Sequence, residues 1–223
     1  MNTHVARLSA ALIMAATLPC GLGAAQAQQY PDKPIRMLVS SPAGSGADIV
    51  ARLTGQKMSE SFGQQFVIDN RGGAGGTIAT DLTAKSKPDG YTILMVTAGH
   101  TINPSVFKKL PYDPVKDLAP ITLLSSTPYL FVAHPSVPAK SVAELITLAK
   151  ANPRQLNYAA GGIAVGSHLA GELFKMRAGI DLVNIPYKGA PQATNDVVAG
   201  QVQLAFITMP TALPLVKAGK LRA

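Results

Sequence analysis

Four short segments carry the residues whose types and spacing can do chemistry. Residues 41–48 read Ser41-Pro42-Ala43-Gly44-Ser45-Gly46-Ala47-Asp48, a glycine-bearing turn between an apolar run and a helical pattern. The first amides of a helix have no partner inside it, and the peptide dipoles add positive potential there. Such a turn therefore offers an anion site through Gly44 to Ala47. Taken alone, it is more often plain strand–helix geometry, and Asp48 in a first helical turn favours the dipole whatever the function. The segment is no phosphate-binding P-loop, since G-x-x-x-x-G-K-[ST] is missing. It is no dinucleotide fingerprint either, since Ile49 stands where the third glycine belongs.

Residues 160–168 repeat the same physics further along: a small-residue loop with Gly162 and Ala164 leads to a helix expected to open at Ser167. The Ser167 hydroxyl either caps that helix or meets a ligand oxygen, and capping is the commoner role. His168 is adjacent to Ser167, so the two side chains diverge, which is poor geometry for a nucleophile and its base. The strand–G-x-S-x-G elbow of hydrolases is missing as well. Residues 70–76 (NRGGAGG) hold four glycines, suited to close backbone approach or to a mobile surface loop. In residues 185–189, Tyr187 offers a hydroxyl and Lys188 a charge, or the pair simply closes a strand-end turn. The histidines at 4, 100, 134 and 168 show no paired ligand spacing, so neither a metal nor another cofactor is expected. Anion-friendly loops without a catalytic constellation point to binding and away from catalysis.

The elements that must position these loops alternate strand and helix, the pattern of an α/β fold on a largely parallel sheet. Strands are expected at 35–40, 65–69, 91–97, 121–125, 129–133, 156–159, 181–185 and 202–208, with a further strand beginning at 221–223. Helices are expected at 47–62, 77–86, 141–151, 167–178, 191–199 and 210–217. The first has Ile49, Val50, Leu53, Met58 and Phe62 as its inner face, and the 167–178 helix has Leu169, Leu173, Phe174 and Met176 as apolar residues. Ser141 and Glu144 form a capping box, and Val142, Leu145, Ile146 and Ala149 keep helical spacing. Pro191 and Gly200 bracket another helix. Four prolines between His100 and Pro120 break any amphipathic pattern and mark a crossing segment between two lobes.

Residues 1–27 have the form of a secretory signal peptide: Arg7, the apolar run from Leu8 to Leu18, then Ala25-Gln26-Ala27 as a small-x-small cleavage pattern. The only cysteine, Cys20, lies within it, so the remaining chain has no disulfide or thiolate ligand. The formal charge is +8, but the Lys and Arg residues are scattered and aromatics make up only 5%. That distribution speaks against nucleic acid and suits weak attraction of small anions.

An ordered set of motifs resembles one family. Tyr30-Pro31-Asp32-Lys33-Pro34-Ile35-Arg36, the 42–48 loop, Asn70-Arg71-Gly72-Gly73 and Pro88-Asp89-Gly90-Tyr91-Thr92 come first. Leu110-Pro111-Tyr112-Asp113-Pro114, Ser167-His168-Leu169-Ala170-Gly171-Glu172-Leu173, Pro186-Tyr187-Lys188-Gly189 and Gly219-Lys220-Leu221-Arg222-Ala223 follow in order. The chain is similar to the periplasmic solute-binding (Bug) proteins of tripartite tricarboxylate transporters. The resemblance implies an α/β, two-lobed periplasmic binding protein of the Venus-flytrap, type II-like kind: lobes at 28–103 and 120–223, with a crossing segment at 104–119. It implies a small mono-, di- or tricarboxylate ligand delivered to membrane permease subunits, with no enzymatic role. A sensor role, in which a membrane kinase reads the bound ligand, stays open, as do an exported α/β enzyme on an acidic substrate and a non-functional remnant.

By resemblance the ligand carboxylate meets Ser41, Ala43, Gly44, Ser45, Gly46, Ala47 and Asp48. Second-lobe contacts fall at Gly162, Ala164, Ser167, His168, Tyr187 and Thr208. Closure is expected through a hinge such as residues 100–103. Ser45 replaces a usual glycine, and Gln203, Ile207 and Thr208 stand at positions where acidic or amide residues are common in the family. Family chains continue past residue 223, so this one is expected to be a fragment with an incomplete first lobe, an open strand edge and bare apolar helix surface.

Overall fold

The computed structural model describes residues 30–223. The expected signal peptide lies outside the described residues. Lys33–Ala223 form one compact unit containing two sheets.

The first sheet has order β2-β1-β3 and is wholly parallel: β1 (Ile35–Val39), β2 (Phe66–Asn70) and β3 (Thr92–Met95). β1 is central, pairing Ile35 with Phe66 and Arg36 with Thr92. A strand covered on both faces is expected to be continuously apolar, and Met37, Leu38 and Val39 are each almost fully buried. Helix α1 (Gly46–Phe62) follows β1. Ser45 is its N-cap, accepting from the Asp48 N–H at 3.3 Å, and Gly63 ends it in the left-handed region at φ +65°. Helix α2 (Thr77–Ala84) follows β2 after a short 3₁₀ turn, Ala74–Gly76.

The face that α1 buries differs from the apolar stripe expected of it. Asp48, Ala51 and Gly55 turn inward, while Ile49 and Phe62 are exposed and Leu53 is 62% exposed. Small residues let the helix lie close on the sheet: a Cβ on Gly55 would meet Ile68 Cδ1 at 3.0 Å. Of the expected face, Met58 packs on the core of Ile35, Met37, Val39, Ala51 and Phe66. Ile78, Leu82 and Val67 add to the exposed apolar surface on this sheet's elements.

The proline-rich segment is more ordered than its composition suggests. Helix α3 (Gly99–Val106) forms within it and carries Pro104 inside. Asn103 is fully buried and its Nδ2 donates to Gly75 O at 3.1 Å, tying α3 to the glycine loop. The strand expected at 121–125 does not form. Ile121 and Leu123 are 79% and 84% exposed, and no neighbouring strand among the described residues pairs with them.

The second sheet has order β4-β7-β5-β6: β4 (Tyr129–Ala133), β5 (Asn157–Ala160), β6 (Val183–Pro186) and β7 (Leu204–Thr208). β4 runs antiparallel to β7, with Tyr129 opposite Thr208, and the other pairings are parallel. The expected start of a strand at the chain's last residues appears as one antiparallel bridge, Ala133 to Arg222.

Helix α4 (Val142–Ala151) has the expected cap at Ser141, but Glu144 accepts from the Lys140 N–H rather than from its neighbour, which shifts the box by one residue. Helix α5 (Gly166–Ala178) again buries its small face, Ser167 and Gly171, and leaves the apolar Leu169, Leu173 and Met176 exposed. Helices α6 (Ala190–Val198) and α7 (Met209–Lys217) complete the unit.

Gly171 shows why α5 faces as it does. A Cβ there would overlap the ring of Tyr158, a fully buried residue whose hydroxyl donates to Glu172 at 2.7 Å. Overpacking at such a contact costs about 1–3 kcal/mol. Gly171→Ala should therefore lower the free energy of unfolding by that amount, read in equilibrium urea unfolding as a lower midpoint with an unchanged denaturant slope.

Candidate functional site

The loops after the parallel strands converge on one cavity of about 510 Å³ between the two sheets. This follows from topology: a parallel strand releases the chain at its carboxyl end, where the next helix starts, and crevices open there. From the first sheet, Ser40, Ser41, Pro42, Ser45, Gly46 and Ala47 form one wall, with the 72–76 glycine loop, Thr97 and Phe107 beside it. From the second sheet come residues 161–163 and 165–167, residues 186–190, Ala193 and Thr194. Tyr129 and the end of β7 through Thr208 also line it.

Three helix starts face this space. The amides of Gly46 and Ala47 in α1, Gly166 and Ser167 in α5, and Ala190 in α6 have no acceptor among the described residues. They are donors without acceptors, set in partly water-excluded surroundings, and so they favour an anion. Lys188 adds an exposed cationic side chain at the lining.

Of the residues singled out from sequence, the structure brings Ser41, Ser45, Gly46, Ala47, Gly162, Ser167, Tyr187 and Thr208 to the cavity lining. Ala43, Gly44, Asp48, Ala164 and His168 lie outside it. Asp48 is buried beneath the loop. Its carboxylate accepts from the Gly44 N–H at 2.9 Å and from Arg52 Nε at 3.1 Å. Burial alone would raise its pKa, but the Arg52 guanidinium, the Gly44 amide and Asn70 hold it below the ordinary carboxylate range. Asp48 thus shapes the loop from behind. Ala164 is fully buried with φ +59°, and helps the 160–168 loop turn.

Two hydroxyls have roles other than those expected. Ser167 does not cap α5: the N-cap is Val165, without a side-chain bond, and the Ser167 Oγ accepts from the Gly161 N–H at 3.1 Å. Ser167 is the second residue of the helix, so its oxygen reaches back to the strand end and pins the loop. The Tyr187 hydroxyl donates to Asp196 at 2.7 Å, and burial together with that carboxylate pushes its pKa up to about 12. Its ring borders the cavity while its oxygen serves α6.

Several lining residues escaped the sequence reading. Ser40 directly follows β1 and Tyr129 begins β4, and neither sits in a recognisable motif. Tyr129 reaches the cavity only because β4 pairs antiparallel with β7, and its ring lies where a Cβ on Gly166 would come within 2.5 Å of its hydroxyl. Among the described residues no three His, Cys, Asp or Glu side chains gather as a metal site. Within the same residues no helix is long and apolar enough to cross a membrane.

Comparison with known proteins gives a consistent picture. A family model described as the tripartite tricarboxylate transporter family receptor matches residues 50–223. Protein BugT of Bordetella pertussis is 37% identical over 199 residues, covering 88% of this chain and 61% of BugT. Among solved structures, Rpa4515 of R. palustris with adipate has a TM-score of 0.84 at 37% identity, over 86% of this chain and 65% of that one. MatC of Rhodopseudomonas palustris with bound malate has a TM-score of 0.81 at 31% identity, over 87% of this chain and 66% of that one. Periplasmic binding proteins are among the solved chains that share the α/β architecture. The chain spans 58% to 64% of the length of three curated relatives that it matches.

The buried Asp48 carboxylate makes a pH-dependent contribution to folding. Because its pKa is lowered on folding from 3.8, the stabilisation is complete well above that value and is lost as pH falls through the lower folded value. Asp48→Asn should therefore destabilise the protein near neutrality by about 1–3 kcal/mol. The gap between wild type and variant should close in acid, as urea titrations at stepped pH would show.

Proposed function

This chain belongs to the tripartite tricarboxylate transporter receptor family, and from that premise we propose that it is a periplasmic solute-binding protein that captures a small carboxylate between its two sheets. The observation that carries the reading is the set of free amides on opposite walls of one cavity: Gly46 and Ala47 from the first sheet's side, Gly166, Ser167 and Ala190 from the second's. A carboxylate has lone pairs on two oxygens and only accepts, which is the complement of such walls. Adipate and malate in the solved relatives are acids of this kind. The site residues are those that line the cavity, with Ser41, Ser45, Gly46 and Ala47 facing Gly162, Ser167 and Thr208. Tyr187 contributes a ring surface. Export by the 1–27 leader and delivery to membrane permease subunits complete the proposed role.

The two walls meet closely. A Cβ on Gly46 would lie 2.7 Å from Thr208 Oγ1, and one on Gly189 would overlap Pro42. The proposed closed state therefore needs glycine at these seams. A thermal-shift screen against C2–C6 mono-, di- and tricarboxylates tests the reading. A ligand at about 100 times its Kd should add about 2.7 kcal/mol of stability. Gly46→Ala should reduce the stability gained from the acid that gives this shift, while the free variant still melts cooperatively. A cooperative melt unmoved by every acid would refute carboxylate capture.

A further inference from the structure

We propose that Ser40 determines specificity in this cavity: its hydroxyl pairs with a hydroxyl on the carbon beside the bound carboxylate, so that 2-hydroxy acids are held in preference to their deoxy counterparts. The proposal rests on the carboxylate reading above and deepens it. Ser40 follows β1 directly, and its N–H donates to Met95 O at 3.0 Å, which fixes the backbone at the sheet's edge of the cavity. The residue is 7% exposed and lines the cavity, yet its Oγ is buried with no hydrogen-bond partner among the described residues. Gly76 closes over one side of it, since a Cβ there would lie 3.0 Å from Ser40 Cβ and 3.4 Å from Oγ.

The chemistry of the wall separates Ser40 from its neighbours. The Gly46 and Ala47 amides can only donate. Ser45 Oγ already accepts from Asp48 N at 3.3 Å, and Ser167 Oγ from Gly161 N at 3.1 Å, so each has chiefly its proton left for a ligand. Ser41 and Thr97 are only half-buried, where water can serve them. Ser40 alone among these is buried with both its donor and its acceptor capacity unused. Buried polar atoms are ordinarily paired, and one that is not calls for a partner from outside the chain. A carboxylate occupies donors and leaves an acceptor idle. A hydroxyl on the adjacent carbon donates as well as accepts, and a carboxylate seated on the α1 amides would bring that carbon to the wall that Ser40 lines.

Isothermal titration of the purified protein with matched acids tests this: lactate against propionate, malate against succinate, and 2-hydroxyglutarate against glutarate. In at least one pair the hydroxy acid should bind about tenfold more tightly, the discrimination expected of one neutral hydrogen bond. Ser40→Ala should reduce that ratio several-fold, while the melting temperature of the free protein does not fall, because a hydroxyl without a partner contributes nothing to the unliganded fold. Equal affinities within every pair that binds would overturn the proposal. So would a preference that survives in Ser40→Ala, or one that collapses in Ser41→Ala instead. If no acid of any kind binds, carboxylate capture itself fails and the Ser40 assignment falls with it, a result distinct from binding without discrimination.

Discussion

A helix cannot pair the amides of its own first turn, and the cavity of this protein is built from that constraint. Parallel strands deliver the chain at one end of each sheet, so α1, α5 and α6 all begin beside the same space. Their first N–H groups then point where no carbonyl can follow. A buried amide without an acceptor is costly, and a fold that gathers several of them is poised to accept a ligand that is all acceptor. The antiparallel strand β4 serves the same end from the other direction, because its pairing with β7 brings Tyr129 next to Thr208 at the cavity lip.

Close approach is the second requirement. Backbone amides reach a ligand only if no side chain stands in front of them, and the walls here are made largely of glycine, serine and alanine. The same smallness lets the two halves of the unit touch. Pro42 lies against Gly189, Thr208 against Gly46, and the backbone of residues 163–164 against Gly75 and Gly99. Gly75 and Gly76 also take φ values of +66° and +92°, which bend the second loop back over Ser40. Side-chain bulk is moved to the outer faces of the helices, where Leu53, Leu173 and Met176 stand exposed.

Apart from Lys188 at the lining, charge acts behind the site. Asp48 is buried under the first loop, held by Arg52 and the Gly44 amide, and so turns a carboxylate into a brace for the backbone that lines the cavity. On the other side, Glu172 is locked by Tyr158 and Lys175, and Asp196 by Tyr187. The formal charge of +8 supplies a weak field favouring anions over the molecule as a whole. The local selection falls to amides and hydroxyls.

Local rules are legible in a sequence because they act between neighbours. The α/β alternation, the Ser141 cap, the Pro191 and Gly200 brackets and the anion-friendly turns at 41–48 and 160–168 could all be read that way, and so could the family that their order resembles. Contacts between distant residues could not. Spacing alone placed Leu53 and Phe62 on an inner face, whereas Ala51, Gly55 and Gly171 are what the sheets admit, because close packing is decided by the surface opposite. The apolar run at 121–125 lacks a partner strand among the described residues, and a strand exists only by pairing. Ser167 and Tyr187 spend their polar atoms on Gly161 and Asp196, partners that only the fold brings near. Ser40 and Tyr129 carry no motif at all: they face the cavity because β1 ends there and β4 begins there, a consequence of strand order and direction that no stretch of sequence states by itself.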